Sequence, residues 1–209
     1  MMPSSSCISE EKLGEALIIE AAHKGDLEAF NQLIALYQQR VFSLSYHILG
    51  ENEAAADATQ DTFLQAYKAF NQFRGGSIKS WFFRIASNIC YDRLRTRKRR
   101  QTSSLDQLIE EAEQSGNSSF PILEHTDSDP EKSVINKEFL RELTIGLNSL
   151  PIEQKMVVVL SDIQGMNYEE ISKITGTSLG TVKSRLNRGR TKLREFLKHK
   201  ELFQDDIRL

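Results

Sequence analysis

The stretch from Tyr168 to Leu197, YEEISKITGTSLGTVKSRLNRGRTKLREFL, decides the fold of the second half of this chain. Its spacing predicts two helices joined by a tight turn, the first over 168–175. Gly176 supplies the backbone freedom that ends a helix, and the hydroxyls of Thr177 and Ser178 can cap the helix that follows. Apolar residues then recur at helical spacing, which predicts one buried face on the second helix: Val182, Leu186, Leu193, Phe196 and Leu197.

The opposite face of this second helix is polar and basic. At about 100° per residue, four small or polar residues fall opposite the apolar face: Gly180, Ser184, Asn187 and Thr191. Lys183 and Arg188 flank them. Between Leu179 and Lys200 there are eight Lys or Arg and one Glu, a net charge of +7 in a chain whose total is −2. Such a face suits base edges and phosphates. The alternative is a solvated basic face, because helix-turn-helix look-alikes are common.

The composition indicates a helical protein without a metal or a membrane span. Hydrophobic residues make up 39% of the 209 residues, and only four prolines and eleven glycines interrupt them, which favours helix. No apolar run approaches the roughly 20 residues that a span requires, and the N-terminus lacks the pattern of an export signal. Cys7 and Cys90 are too few for a disulfide framework or a metal cluster, and Cys90 lies in an apolar helix where we expect a buried thiol. We therefore expect a cytoplasmic location.

Charge lies in blocks that divide the chain. Residues 71–100 have nine basic and one acidic side chain, whereas residues 101–142 have three basic and ten acidic ones. Residues 101–130 also lose helical periodicity, which predicts a linker and a domain boundary. Two basic blocks separated by an acidic one imply two nucleic-acid surfaces. We predict an all-α chain with two small helical domains and a flexible acidic linker: an N-terminal segment with a first helix (1–24), a domain (25–100), the linker (101–133), a second domain (134–200) and a tail (201–209).

Capping signals predict the helices of the first domain. Ser9 can begin the first helix and Asp26 the second, which Gly50 closes. A third helix starts near Glu53. Ser77 follows two glycines and can cap a fourth helix, rich in aromatic and basic residues.

Two surfaces of this domain have more than one interpretation. One face of the third helix is polar and acidic, and it is either solvated or a docking face for a basic partner. Most aromatic residues of the fourth helix must lie in the core, yet aromatic and arginine side chains together also hold unstacked bases. The run from Arg93 to Arg100 is too dense to pair internally, which suggests phosphate contacts.

Taken together and in this order, three blocks resemble the sigma-70 family, in its short extracytoplasmic-function (ECF) group that keeps two domains. DATQDTFLQAYKAF at 57–70 resembles region 2.2 of that family. FRGGSIKSWFFRIASNICYDRLR at 73–95 resembles regions 2.3 and 2.4. LNSLPIEQKMVVVLSDIQGMNYEEISKITGTSLGTVKSRLNRGRTKLRE at 147–195 resembles regions 4.1 and 4.2.

The resemblance implies a bacterial RNA polymerase sigma factor, which directs core polymerase to promoters and has no catalysis of its own. The first domain would bind the β′ clamp, melt the −10 element and capture a flipped base, and the second would read the −35 element. Core polymerase (β′ clamp and β flap), promoter DNA and an anti-sigma factor are the partners it implies.

The resemblance also assigns residues. The positions implied for core polymerase binding are Asp57, Gln60, Asp61 and Leu64. Those implied for the −10 element are Asn71, Phe73, Arg74, Trp81, Arg84, Asn88 and Arg93. Those implied for the −35 element are Gly180, Thr181, Lys183, Ser184, Asn187 and Arg188.

Two other function classes explain less of the sequence. A regulator that binds an operator as a dimer would use the same helix-turn-helix. It would leave the first basic block and the acidic linker without a role, and no heptad pattern predicts a dimer surface. An enzyme is disfavoured because the sequence has no glycine-rich phosphate loop and no paired-carboxylate or Cys/His arrangement at convincing spacing. We therefore expect no catalytic residue, metal site, cofactor or small-molecule substrate.

Overall fold

The computed structural model describes residues 5–103 and 141–199, and every regular element in these two ranges is helical. The predicted all-α fold is confirmed. In chain order the elements are α1 (Ser5–His23), α2 (Leu27–Leu49), α3 (Asn52–Ala69), a 3₁₀ turn (Phe70–Gln72), α4 (Ile78–Ser103), α5 (141–148), α6 (Ile152–Val158) with a π-helical turn (Val159–Ile163), α7 (Tyr168–Thr175) and α8 (Leu179–His199). Among the described residues, no helix is both long and apolar enough to cross a membrane.

Local capping signals place most of the helix ends. The Asp26 carboxylate accepts hydrogen bonds from two backbone N–H groups at the start of α2, at 2.9 and 3.2 Å. Gly50 ends the same helix in the left-handed conformation, with φ 80°, and Ser77 caps α4 through the Ser80 N–H at 3.1 Å. The predicted start of α1 at Ser9 is wrong, because the helix already begins at Ser5. No glycine or proline lies between these two serines to interrupt it.

The first domain packs α2, α3 and α4 against one another, with α1 against α2. Its core contains side chains that are fully buried, among them Leu33, Leu44, Phe82 and Phe83. An aromatic cluster closes one end of this core, where Phe73 lies 5.3 Å and Phe70 5.9 Å from the Trp81 ring. The chain enters α4 from this cluster, so the aromatic residues position the start of that helix.

The second domain is built around the crossing of α6 and α8. The stretch from Met156 to Leu160, predicted to form one apolar helix face, is buried at every position. Because five consecutive residues go all the way round a helix, the segment is buried on every side rather than on one face. Gly189 lies where the two helices meet: a Cβ atom there would stand 2.7 Å from Val158 Cγ2. The glycine therefore lets the helices approach closely.

The two domains pack on each other. Their buried side chains form one continuous core, in which α4 lies against α7 and α2 lies against α6 and the π-helical turn. Helix α4 extends three residues past the predicted start of the linker at residue 101. The rest of that linker, residues 134–140 and the tail lie outside the described residues, and the predicted domain limits stay predictions.

Candidate nucleic-acid interface

A capped turn joins the two helices of the helix-turn-helix. The Asn167 side chain accepts from the Glu170 N–H at 2.9 Å, and the Glu170 carboxylate accepts from the Asn167 N–H at 3.1 Å, which together form a capping box at the start of α7. Gly176 ends α7 with φ 64°. Ser178 Oγ then accepts from the Thr181 N–H at 3.2 Å, so the predicted hydroxyl cap of α8 is confirmed. Ser172 Oγ of α7 also donates to the Thr177 carbonyl oxygen at 2.5 Å, which holds the turn before α8 against α7.

Helix α8 presents the predicted −35 positions on one face. Val182 and Leu186, on the opposite face, are buried as expected. Thr181 is half-buried, and its hydroxyl lies 2.9 Å from Ser178 Oγ. The other five predicted positions are exposed: Gly180, Lys183, Ser184, Asn187 and Arg188. Because five polar or small residues share one face on a capped helix, this face can enter a major groove.

Not every basic residue of α8 is available to DNA. Arg190 donates from Nε to an Asp162 carboxylate oxygen at 2.9 Å and makes a second hydrogen bond to the other oxygen of that carboxylate. Hydrogen bonding to Asp162 raises the pKa of Arg190, so this guanidinium is a fixed brace between α8 and the π-helical turn. Arg185 is half-buried and faces the first domain. Arg190, one of the eight positive charges counted in the sequence, is therefore used within the fold.

The predicted −10 residues divide by exposure. Asn71 and Arg74 are exposed in the segment before α4, and Arg84 and Asn88 are exposed one turn apart on that helix. Trp81 is half-buried within the aromatic cluster. Phe73 is 5% exposed and packs against Trp81, so its side chain holds the indole in place rather than reaching solvent.

Arg93, the seventh of these positions, lies apart from the others because it pairs with α3. Its Nη2 atom donates to Asp61 at 2.5 Å, and its Nη1 atom is 3.8 Å from Asp57. Arg97 pairs with Glu51 at 2.6 Å. The expectation that this arginine run is too dense to pair internally is wrong for both residues, because α3 lies alongside α4 and supplies carboxylates from more than 30 positions away.

The acidic face of α3 remains accessible. Asp57 and Gln60 are exposed and Asp61 is half-buried. Leu64 lies on the same helix with 58% of its surface exposed. Single exposed apolar side chains are common on protein surfaces, so the exposure of Leu64 is compatible with both interpretations of this face.

A cleft of about 240 Å³ lies between α4 of the first domain and α8 of the second. Asn88 from α4 and Arg185 from α8 both line it, with Glu153 from α6 between the domains. The sequence interpretation missed Arg185 and Glu153. Arg185 lay within the basic block, but nothing in the sequence indicated that it faces α4.

The described residues offer no group of three or more His, Cys, Asp or Glu side chains that could hold a metal ion. Cys90 is fully buried, which confirms the expected core thiol. Burial raises the pKa of this thiol to about 11, so it is protonated at neutral pH and is a poor nucleophile.

The fold and this surface define a two-domain, all-helical DNA-binding protein that contains a helix-turn-helix. The family model for sigma-70 region 2 matches residues 33–100, and that for sigma-70 region 4 matches residues 141–193. Together they cover more than half of the chain.

Curated relatives agree with these matches. The chain is 34% identical over 182 residues to the ECF RNA polymerase sigma-E factor of Escherichia coli K12, covering 86% of this chain and 92% of that protein. It is 31% identical over 189 residues to the ECF RNA polymerase sigma factor SigE of Mycolicibacterium smegmatis, covering 90% of this chain and 69% of that protein. The chain belongs to the ECF group of the sigma-70 family.

Solved structures show the same fold. The sigma factor RpoE of Bartonella quintana, in complex with the anti-sigma factor NepR, matches with a TM-score of 0.65 and 26% identity, over 82% of this chain and 98% of that one. CnrH, in complex with the cytosolic domain of CnrY, matches with a TM-score of 0.61 and 23% identity, over 88% and 96%. As a member of this family the protein is a transcription initiation factor that binds RNA polymerase core and promoter DNA, and it is not an enzyme.

Proposed function

We propose that the two DNA-bearing helices divide promoter recognition between duplex reading and strand capture. The main support for this proposal is the exposed face of α8, which presents five polar or small residues. The start of this helix is capped by Ser178. Lys183 and Arg188 reach bases and phosphates of the −35 element in the major groove. Thr181 contributes its backbone at the helix start.

Helix α4 and the segment before it contact the −10 element. Arg84 and Asn88 are exposed on α4, and Trp81 stands beside them at the edge of the aromatic cluster. Extruding a base costs a few kcal/mol, which stacking and hydrogen bonding in a pocket must offset. The indole of Trp81, held in place by Phe73, can stack on the extruded base. The Asn88 amide, two turns further along α4, can form a hydrogen bond with that base.

Core polymerase binds the exposed face of α3, where Leu64 offers an apolar anchor and the carboxylates of Asp57 and Asp61 offer charge. A basic surface such as the β′ clamp complements this combination. The second domain binds the β flap. The protein acts in the cytoplasm, where RNA polymerase works.

An anti-sigma factor holds the protein inactive. One solved structure with this fold, the sigma factor RpoE of Bartonella quintana, contains an anti-sigma factor. Two helical domains on one chain offer it a large interface. A pull-down from unstressed cells that yields polymerase alone would count against this partner.

The test of the function is transcription from a genomic library with core polymerase and this protein, followed by mapping of the start sites. The expected result is initiation at a defined promoter set that shares two sequence elements. If saturating protein leaves core polymerase without promoter preference, the proposed division of promoter recognition is wrong.

A further inference from the structure

The cleft between α4 and α8 is lined by two opposite charges that do not pair with each other. Arg185 of α8 is half-buried, and among the described residues its guanidinium has no hydrogen bond and no ion pair. Glu153 of α6 lines the same cleft, and its carboxylate accepts a hydrogen bond from the Tyr91 hydroxyl at 3.5 Å. This distance is at the outer limit for a hydrogen bond. A cation and an anion therefore face the cleft with most of their hydrogen-bonding capacity unsatisfied.

A buried hydroxyl is a third unsatisfied group of this cleft. Ser87 of α4 is only 3% exposed, and its Oγ atom has no hydrogen-bond partner within the described part of the chain. Leaving a buried polar atom without a partner is costly, so such an atom in a folded protein calls for one. Because Ser87 lines the cleft, a molecule bound there can supply the missing hydrogen bond.

The remaining walls of the cleft are apolar, and the space is small. Met156 and Ile174 both line it and are themselves buried in the core. Apolar walls with a few convergent polar groups are the usual composition of small-molecule sites. The cleft volume of about 240 Å³ is below the range of roughly 300–1,000 Å³ that is typical of sites for drug-sized ligands. The cleft therefore suits a small metabolite.

The lining residues define the chemical class of this metabolite. A carboxylate can accept two parallel hydrogen bonds from a guanidinium such as that of Arg185, and an ammonium group can donate to the carboxylate of Glu153. An apolar side chain on the same molecule can cover Met156 and Ile174. A free α-amino acid with an apolar side chain combines these three groups. We propose that the cleft is a binding site for such an amino acid, which acts as an effector and not as a substrate.

Other small ligands match the cleft less well. Inorganic phosphate or a nucleotide would satisfy Arg185 but would place negative charge beside the carboxylate of Glu153. A simple amine would satisfy Glu153 but would face the guanidinium with a like charge. Only a molecule with both charges avoids leaving one of these two groups unpaired.

The bound amino acid also covers a residue with a role in the proposed function. Asn88 lines the cleft, and we assign its amide to capture of a promoter base. An occupied cleft therefore hinders promoter melting, and the concentration of the amino acid influences initiation. This consequence rests on the proposed function, whereas the binding site itself does not.

The test is isothermal titration calorimetry of the full-length protein without DNA or polymerase. The probes are the L-forms of alanine, valine, leucine, isoleucine, methionine and phenylalanine, each titrated separately. At least one should bind saturably with a Kd of about 1 mM or tighter. The carboxylic acid that lacks the amine of this amino acid, and the amine that lacks its carboxylate, should each bind at least about tenfold more weakly, because each leaves one charge of the cleft unpaired.

Variants of the lining residues locate the binding. Arg185→Gln and Glu153→Gln should each weaken it at least about tenfold, because each removes one charge-assisted hydrogen bond. The matched controls Arg194→Gln on α8 and Glu169→Gln on α7 remove the same charges at exposed positions outside the cleft and should bind as the wild type does. Ser87→Ala should also weaken binding, while its free energy of unfolding stays equal to that of the wild type or rises, because the substitution removes an unsatisfied buried hydroxyl.

Two results overturn the proposal. The first is that none of the six amino acids binds. The second is that the amino acid binds equally well to Arg185→Gln, Glu153→Gln and Ser87→Ala, each with native helical content by circular dichroism. Tight binding of the carboxylic acid without its amine would show an anion site instead and would reject the amino acid as the ligand. Promoter-specific transcription by a protein that binds no amino acid would keep the proposed function and reject this site. Amino-acid binding by a protein without promoter preference would do the reverse.

Discussion

Single residues in this protein carry tasks that their type does not reveal. Arg93 is a residue type that often contacts phosphate, yet its guanidinium pairs with Asp61 and braces α4 on α3. Phe73 resembles a base-stacking residue, yet it is buried against Trp81. The chemistry of a side chain therefore limits its role, and its neighbours in the fold decide which role it takes.

The docking face can be tested at Asp61. Asp61→Arg reverses a half-exposed charge and leaves the buried side of α3 unchanged. We expect binding to core polymerase to weaken at least about tenfold, because a like charge facing a basic partner costs more than about 1.4 kcal/mol. A competition assay against a labelled sigma factor measures this affinity.

Glu20→Arg, at an exposed position on α1 and so outside the predicted face of α3, serves as the control and should bind nearly as the wild type does. Asp61→Asn separates loss of the Arg93 ion pair from charge reversal. If all three variants bound core polymerase with equal affinity, the acidic face of α3 would be an ordinary solvated surface and not a docking face.

At the scale of elements, most helix ends follow from the sequence because their causes are local. Asp26, Ser77 and Gly176 fix theirs through hydrogen bonds or backbone conformation within a few residues. Which face of a helix is covered by another element, by contrast, depends on residues that are far away in the sequence. The sequence did not indicate that Gly189 matters, because the side chain that it contacts, Val158, is more than 30 positions away.

This difference gives a prediction for two glycines of the same helix. At Gly189 a Cβ would stand 2.7 Å from Val158 Cγ2 and 3.4 Å from the Gln154 carbonyl, whereas at Gly180 it would meet only Ser178 Oγ at 3.9 Å. Gly189→Ala should therefore destabilise the protein by about 1–3 kcal/mol through overpacking. Gly180→Ala should leave stability unchanged or raise it by up to about 1 kcal/mol through helix propensity, and urea unfolding of both variants compares them.

Substitutions in α8 and in α4 should impair different steps of transcription initiation. Lys183→Ala removes a contact to intact duplex, worth about 1–3 kcal/mol if it is a base contact. Its loss should weaken the closed complex, increasingly at high salt. Asn88→Ala should leave closed-complex binding nearly unchanged and slow melting, since its amide meets a base only after the strands separate.

Permanganate reactivity of unpaired thymines, measured beside binding on the same promoter, separates the two steps. Ser87 neighbours Asn88 but is buried, so exposure singles out the asparagine for this comparison. If Asn88→Ala weakened the closed complex as much as Lys183→Ala and then melted normally, the division of labour between α4 and α8 would be wrong.

At the scale of the whole molecule, the two predicted domains share one core. The sequence could not indicate this, because Lys155 reads as the polar position of an amphipathic helix. It is buried only because the end of α2 comes to meet it. The arrangement of the domains thus depends on contacts between residues more than 100 positions apart. The burial of the Lys155 charge follows from that arrangement.

This burial makes stability depend on pH in a definite direction. Burial lowers the pKa of Lys155 to about 8 in the folded protein, from an ordinary value of 10.5. Between these two values the unfolded chain binds more protons at this site than the folded chain does, so stability must rise with pH there and level off outside the window. The free energy of unfolding of the wild type relative to Lys155→Met should be constant below about pH 8. It should then increase by up to about 3 kcal/mol as the pH approaches 10.5.

Urea unfolding of both proteins at several pH values from 7 to 10 measures this difference. Methionine keeps the length and the apolar stem of the side chain, and the groups common to both proteins cancel, including the Cys90 thiol, whose raised pKa acts in the opposite direction. Lys173→Met, at an exposed position, should give a flat difference over the same range. A flat difference for Lys155→Met as well would mean that its ammonium stays in water, and the end of α2 would then hold no buried charge.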